Sequence, residues 1–209
     1  MRVRLPLDHR LEHGASTDAQ DIADHGRQFD ARLFQHPQWV PEAPPSPAGY
    51  PRIMKFIVDN NVGKLAGWLR ALGYDTLFIN PVDDGDLVRI AQQEGRTVLT
   101  RDRGLLRRRP IASGEVLALE IRGDDWRDQL AQVVGAFGLR TEPSFTRCIE
   151  CNTPLRRQTR DDARQHVPPY VYRTQQTFLV CPSCGRHYWQ GTHWQRMNQV
   201  LGELLRLQT

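Results

Sequence analysis

Nothing in this sequence approaches the roughly 20 consecutive apolar residues of a membrane-spanning helix. The N-terminus also lacks the apolar core of a secretory signal, and together with cysteines in metal-type pairs these absences lead to the expectation of a reducing cytoplasm. Cysteine is scarce, four residues in 209, which excludes a disulfide-dense miniprotein. Apolar residues make up only 39% of the chain. With a mean hydropathy of −0.56, that implies long polar stretches beside a modest core. Charge is nearly balanced, 28 Lys and Arg against 24 Asp and Glu, for a net charge of +4. Such a balance permits nucleic-acid binding without demanding it. A chain of this length holds one ordinary domain and one small one.

What cysteine there is sits in two pairs, Cys148-Ile149-Glu150-Cys151 and Cys181-Pro182-Ser183-Cys184, with 29 residues between them. Zinc takes four thiolates in a tetrahedron, and each C-x-x-C turn supplies one edge of it. Gly185 follows the second pair, where a tight knuckle needs a permissive backbone. The competing reading is two disulfides or four buried thiols. Cysteines in metal-type pairs fit a reducing compartment better.

Residues 1–52 read as a polar tail and stiff linker. They hold four of the seven histidines, at irregular spacing, and end in Pro41-Glu42-Ala43-Pro44-Pro45-Ser46-Pro47. Met54 opens the first strongly patterned segment and could serve as an internal translation start. Residues 53–142 form the main domain, and residues 143–209 the cysteine module with a C-terminal helix.

The main domain alternates strand and helix. Lys55 to Val58, Thr76 to Ile79, Thr97 to Thr100 and Val116 to Ile121 are apolar strands. A helix capped by Asn60 or Asn61 carries Val62, Leu65, Trp68, Leu69 and Leu72; others run from near Asp84 to Gly95 and from Asp125 to Phe137. This alternation predicts an α/β fold, a parallel sheet covered on both faces. In the module, Tyr170 to Tyr172 and Thr177 to Val180 look strand-like, and an amphipathic helix spans His193 to Leu205.

In open α/β sheets the chemistry gathers at the carboxyl ends of the strands. Asp59 and Asp102 directly follow buried strands. Asp83, Asp84 and Asp86 crowd the start of the second long helix, and Asp124 and Asp125 follow the fourth strand. A parallel sheet would converge these acids on one rim, where they repel unless a cation neutralises them. Magnesium or manganese suits such an oxygen-only cluster and supports phosphodiester hydrolysis. Asp84 and Asp125 are also natural helix caps. Arg101 could pair with Asp102 or hold a phosphate, and Lys64 and Arg70 are solvated face or phosphate contacts.

The stretches Phe56-Ile57-Val58-Asp59-Asn60, Gly63-Lys64-Leu65-Ala66, Trp68-Leu69-Arg70, Leu72-Gly73-Tyr74-Asp75 and Leu99-Thr100-Arg101-Asp102-Arg103 resemble the Mut-7 C-terminal RNase domain. The likeness continues through Arg147-Cys148, Cys151-Asn152, Cys181-Pro182, Cys184-Gly185, Tyr188-Trp189, Gly191 and His193-Trp194, covering about residues 54–200. The resemblance implies a PIN-like three-layer α/β/α sheet followed by a small zinc ribbon, and metal-dependent hydrolysis of RNA. Asp59 and Asp102 match the family's strand-end acids, Asp84 is the best match for the middle acid, and Asp124 or Asp125 for a fourth. Gly67 stands where the family commonly has a basic residue, and Val62 where it has Leu. Residues 1–50 do not match the ubiquitin-like domain of some longer relatives.

On this reading Asp59, Asp84 and Asp102 hold one or two magnesium or manganese ions, with Asp124 or Asp125 acting through water. Lys64, Arg70 or Arg101 offsets phosphoryl charge. The zinc is structural. Its ribbon presents Arg156, Arg157, Arg160 and Arg164 on a loop beside Tyr170, Tyr172, Tyr188 and Trp189, a mixture that suits single-stranded RNA. Some of those rings must also pack the ribbon's small core. No organic cofactor is expected. The competing classes are a catalytically inactive nucleic-acid-binding or regulatory module and a rubredoxin-like iron carrier.

Overall fold

The computed structural model describes residues 54–140 and 144–206, with side chains to residue 203. The tail and linker expected over residues 1–52 lie outside the described residues. The first strand, β1 (Lys55–Val58), leads through a short 3-10 turn (Asn60–Val62) into α1 (Lys64–Ala71). There follow β2 (Asp75–Phe78), α2 (Asp84–Glu94), β3 (Thr97–Thr100), the short helices α3 (Arg103–Leu106) and α4 (Arg109–Ala112), β4 (Ala118–Glu120) and α5 (Trp126–Phe137). All four strands pair in parallel, in the order β2-β1-β3-β4. Every residue of β3 is buried, as are the last three of β1, because both faces of a parallel sheet are covered.

Side chains alternate across the sheet, so each strand feeds two cores. Phe56, Val58 and Leu99 pack with Leu65 and Leu69 of α1 and Leu130 and Val133 of α5. Ile57 and Val98 pack on the opposite face with Leu87, Val88 and Ala91 of α2. The result is a four-stranded parallel sheet flanked by helices. Helix α2 ends where Gly95 turns left-handed (φ 62) and returns its amide to the Ala91 carbonyl.

The second region contains β5 (Arg156–Gln158), α6 (Arg160–Ala163), α7 (Pro169–Thr174), β6 (Phe178–Val180), β7 (His187–Tyr188) and α8 (Thr192–Arg206). Its sheet is antiparallel, ordered β5-β6-β7, over a core of Ala163, Val167 and Phe178. Helix α8 returns to the first region, where Leu201 is buried among the residues under α1 and α5.

Three local expectations change. Residues Tyr170 to Tyr172 are helical, not strand-like: Pro169 occupies the first helical position, where its missing amide costs nothing. The Arg160 guanidinium then donates to the Tyr172 and Gln175 carbonyls, closing the C-terminal end of α7. Arg156 and Arg157 lie on β5 and Arg160 on α6, so the basic residues are not on one loop. The cap after β1 is Asp59, whose Oδ1 accepts from the Asn60 amide at 2.6 Å.

Candidate functional site

The strands run in parallel, so their carboxyl ends share one rim; the expected acids follow those ends, but among the described residues no three of them bring carboxylate oxygens within 4.8 Å of one another. Asp59 follows β1 directly, and Asp102 lies two residues beyond β3. Between them stands Thr100, the fully buried last residue of β3. Its hydroxyl donates to Asp59 Oδ2 at 2.6 Å and accepts from the Asp102 amide at 2.9 Å. Asp102 Oδ1 accepts from the Gly104 amide at 2.6 Å, capping α3. Neither Asp59 nor Asp102 forms an ion pair among the described residues. Asn61 supports the same rim by accepting from the Arg101 amide at 3.2 Å.

The other two acids are engaged differently. Asp84 meets Arg108 at 3.2 Å, and Asp124 meets Arg101 at 2.7 Å. Arg101 therefore pairs with Asp124 rather than with Asp102. The cap of α2 is Asp83, not Asp84: its Oδ1 accepts from the Asp86 amide, which holds the Asp83 carboxyl below its usual range. Asp125 does cap α5. Basic side chains are exposed on the segments that follow the strands: Lys64 opens α1, and Arg101, Arg103, Arg107, Arg108 and Arg109 come after β3.

The four cysteine sulfurs all lie within 4.8 Å of one another, and no other group of three or more such ligands among the described residues is that close. The Cys148–Cys184 and Cys151–Cys181 sulfurs are 3.6 and 3.4 Å apart. A tetrahedron with zinc–sulfur bonds of about 2.3 Å requires sulfurs roughly 3.8 Å apart, whereas a disulfide requires about 2.05 Å. This cluster suggests a zinc site. The two knuckles share one backbone design. The Asn152 amide returns to the Cys148 carbonyl at 2.9 Å, and the Gly185 amide to the Cys181 carbonyl at 3.0 Å. Both residues sit at positive φ, 69 and 71.

Two of the thiols are shifted in opposite directions. Burial alone would raise the Cys151 thiol, but hydrogen bonding with Thr153 and the neighbouring sulfurs brings it down to about 6. The Arg186 amide favours the Cys184 thiolate, yet desolvation and the three other sulfurs push that thiol up to about 12. Tyr188 adds a hydroxyl 3.0 Å from Cys148 Sγ.

Asn152, at the positive-φ position of the first knuckle, does more than make a turn. Its Oδ1 accepts from the Thr76 amide at 3.0 Å and its Nδ2 donates to Asp75 Oδ1 at 2.8 Å, so the knuckle grips edge strand β2. Arg147 and Arg96 converge on the same carboxylate, at 3.3 and 2.6 Å. Burial would raise the Asp75 carboxyl, but the hydrogen bonds from Arg96 and Asn152 and the two guanidinium charges hold it below its usual range.

Arg70, expected as solvated face or phosphate contact, is not on a solvated face. It is only 5% exposed, and its guanidinium donates to the carbonyls of Thr76, Ile149 and Glu150 at 2.7–2.9 Å. Burial lowers its pKa, an effect that the nearby thiols and carboxylates partly oppose. Its Nε and Nη1 are committed to main chain, so Arg70 braces the backbone rather than standing as a solvated surface arginine. Arg156 and Arg157 are exposed on an edge strand, on which successive side chains point to opposite faces.

Reading the sequence missed Thr100, Asn61 and Asn152. The signal for Thr100 was a hydroxyl at the last position of a fully buried strand, directly before the strand-end residues. For Asn152 it was the residue after the first C-x-x-C, where its counterpart is Gly185.

Compared with known families, residues 54–201 match the model of the Mut7-C RNAse domain. No curated protein and no solved structure matches the chain.

Proposed function

The chain belongs to the Mut7-C RNAse domain family, and from that premise we propose a metal-dependent ribonuclease of PIN-like type that works at the Asp59–Asp102 rim. The observation that carries this reading is the Thr100 bridge: one hydroxyl joins the Asp59 carboxylate to the main-chain amide of Asp102, and neither carboxylate has a paired cation among the described residues. Asp102 Oδ2 accepts no hydrogen bond among the described residues. That donor set fits magnesium or manganese, which are commonly held by one or two carboxylates, water and substrate phosphate rather than by a closed protein cage. Such an ion would lower the pKa of water and offset phosphoryl charge when bound.

The chain's own residues set the geometry for that chemistry. The Asn60 amide and the Thr100 hydroxyl hold the two oxygens of Asp59, and the Gly104 amide holds Oδ1 of the exposed Asp102. Asp84 and Asp124 are the further acids. Each joins only by exchanging its arginine, which leaves Arg108 and Arg101 for phosphate oxygens. The cysteine cluster holds zinc as a structural ion, since four thiolates leave no open position.

A cleavage assay on a defined single-stranded RNA with manganese, for wild type, Asp59→Asn and Asp102→Asn, tests the proposal. Each substitution should lower kcat by on the order of a hundredfold or more. Equal cleavage by all three proteins would mark the activity as contamination and leave the inactive RNA-binding reading.

A further inference from the structure

An open cleft of about 540 Å³ lies between α1, the first cysteine knuckle and α8. Its position relative to the acids follows from the chain. The 3-10 turn that starts at Asp59 ends at Gly63, and Gly63, Lys64 and Phe78 at the end of β2 all line the cleft. The cleft therefore opens on the catalytic rim, on the β2 side of Asp59. The pairs Asp84–Arg108 and Asp124–Arg101 involve residues that do not line it.

The lining joins two chemistries. Trp68, Phe78 and Met197 give a partly apolar wall, while Lys64, His193 and Arg196 bring cationic or protonatable groups. Lys64, His193 and Arg196 are exposed and have no ion pair or hydrogen bond among the described residues. Apolar and aromatic surface beside unpaired cations is the combination that takes an unstacked base and its phosphate. The volume falls within the roughly 300–1,000 Å³ of small-molecule sites. Glu150 is the one carboxylate of the lining, suited to an exocyclic amine or a 2′-hydroxyl rather than to phosphate.

Two features keep the cleft open and shaped. Gly67 faces it in the middle of α1, and a Cβ built there meets no atom within 4 Å. The opposite wall, Ile149 and Glu150, is fixed by the main-chain bonds from Arg70. We propose that this cleft seats one or two nucleotides of single-stranded RNA flanking the phosphate at the Asp59–Asp102 rim. The inference rests on the ribonuclease reading for its ligand, and it gives the cysteine knuckle a defined place as one wall of the substrate path.

Gly67→Leu separates binding from folding. Leucine is the better helix former, so the melting temperature should stay level or rise while the side chain fills the cleft. The measurement is fluorescence anisotropy of a labelled single-stranded RNA on the full zinc-loaded chain, without added magnesium or manganese. Gly67→Leu should weaken binding about tenfold, the order of one lost base-stacking contact. Arg196→Glu should also weaken it and lower the slope of log affinity against log salt by about one. Wild-type affinity in both variants would overturn the cleft. So would a wild type that binds no oligonucleotide.

The two proposals fail separately. Manganese-dependent cleavage with unchanged KM in Gly67→Leu and Arg196→Glu would overturn the cleft and leave the nuclease. Binding that both variants weaken, in a wild type that does not cleave, would support the cleft and remove the nuclease.

Discussion

The four-stranded sheet is covered on both faces by apolar clusters built from Leu, Val, Ile and Phe, whereas three residues, Ala163, Val167 and Phe178, make up the buried cluster beside the three-stranded sheet. The first region is held by burial and would be expected to form without a ligand. The second has too little apolar surface to offset the entropy of ordering its loops, and small units of this kind need a metal or another staple. Its four clustered sulfurs suggest a zinc site as that staple. The polar contacts of Arg70, Asn152 and Arg147 with β2 and its flanks then fasten the knuckle to the larger sheet. Neighbouring parts of one chain can thus rest on different forces, and they should fail under different conditions.

The largest break in that comparison should come from the cluster. Cys148→Ser or zinc chelation removes binding energy that in isolated zinc-finger peptides amounts to about 10–16 kcal/mol. Circular dichroism and hydrogen exchange should show the β5–β7 region losing protection while β1 and β3 keep theirs. Uniform loss throughout would mean that the two regions fold as one cooperative unit.

Arg70→Met keeps the length of the side chain and removes the donors to Thr76, Ile149 and Glu150. A lost charged hydrogen bond costs about 1.5–3 kcal/mol. The expected result is a lower melting temperature and faster zinc release to a chromogenic chelator. Unchanged zinc release would show that the knuckle does not depend on the brace.

The smallest effect should appear in acid. Asp75 has a depressed folded-state pKa, caused by Arg96, Asn152 and Arg147. Its stabilisation is complete above the unfolded value of about 3.9 and disappears as pH falls through the folded value. Melting curves between about pH 5 and pH 2 should therefore slope less steeply for Asp75→Asn than for wild type. Parallel slopes would remove the carboxylate from the coupling between the regions.

Much of this was legible in the residues. The strand segments from Lys55 and from Thr97 stand where the alternating pattern puts them, because runs of apolar residues between helices have few other ways to be buried. The paired cysteines meet as their spacing requires. Tyr170 to Tyr172 misled, since aromatic and β-branched residues favour strands, while the helix there depends on Pro169 and on the distant Arg160. Arg70 misled for a related reason. On a helical wheel it is an ordinary surface arginine, and carbonyls beyond the helix, at Thr76 and in the distant knuckle, hold it inward.

The sequence by itself determined the periodicities, the strand-end acids and the four thiolates, because these follow from local spacing and side-chain chemistry. Tertiary structure decided which groups share a neighbourhood. It joined Asp59 and Asp102 through Thr100, paired Asp84 and Asp124 with arginines, sealed Arg70 against main chain and opened a cleft at Gly67. Those outcomes depend on contacts between residues distant in sequence, and hydrogen-bond reach in three dimensions leaves no trace in the spacing of a single chain.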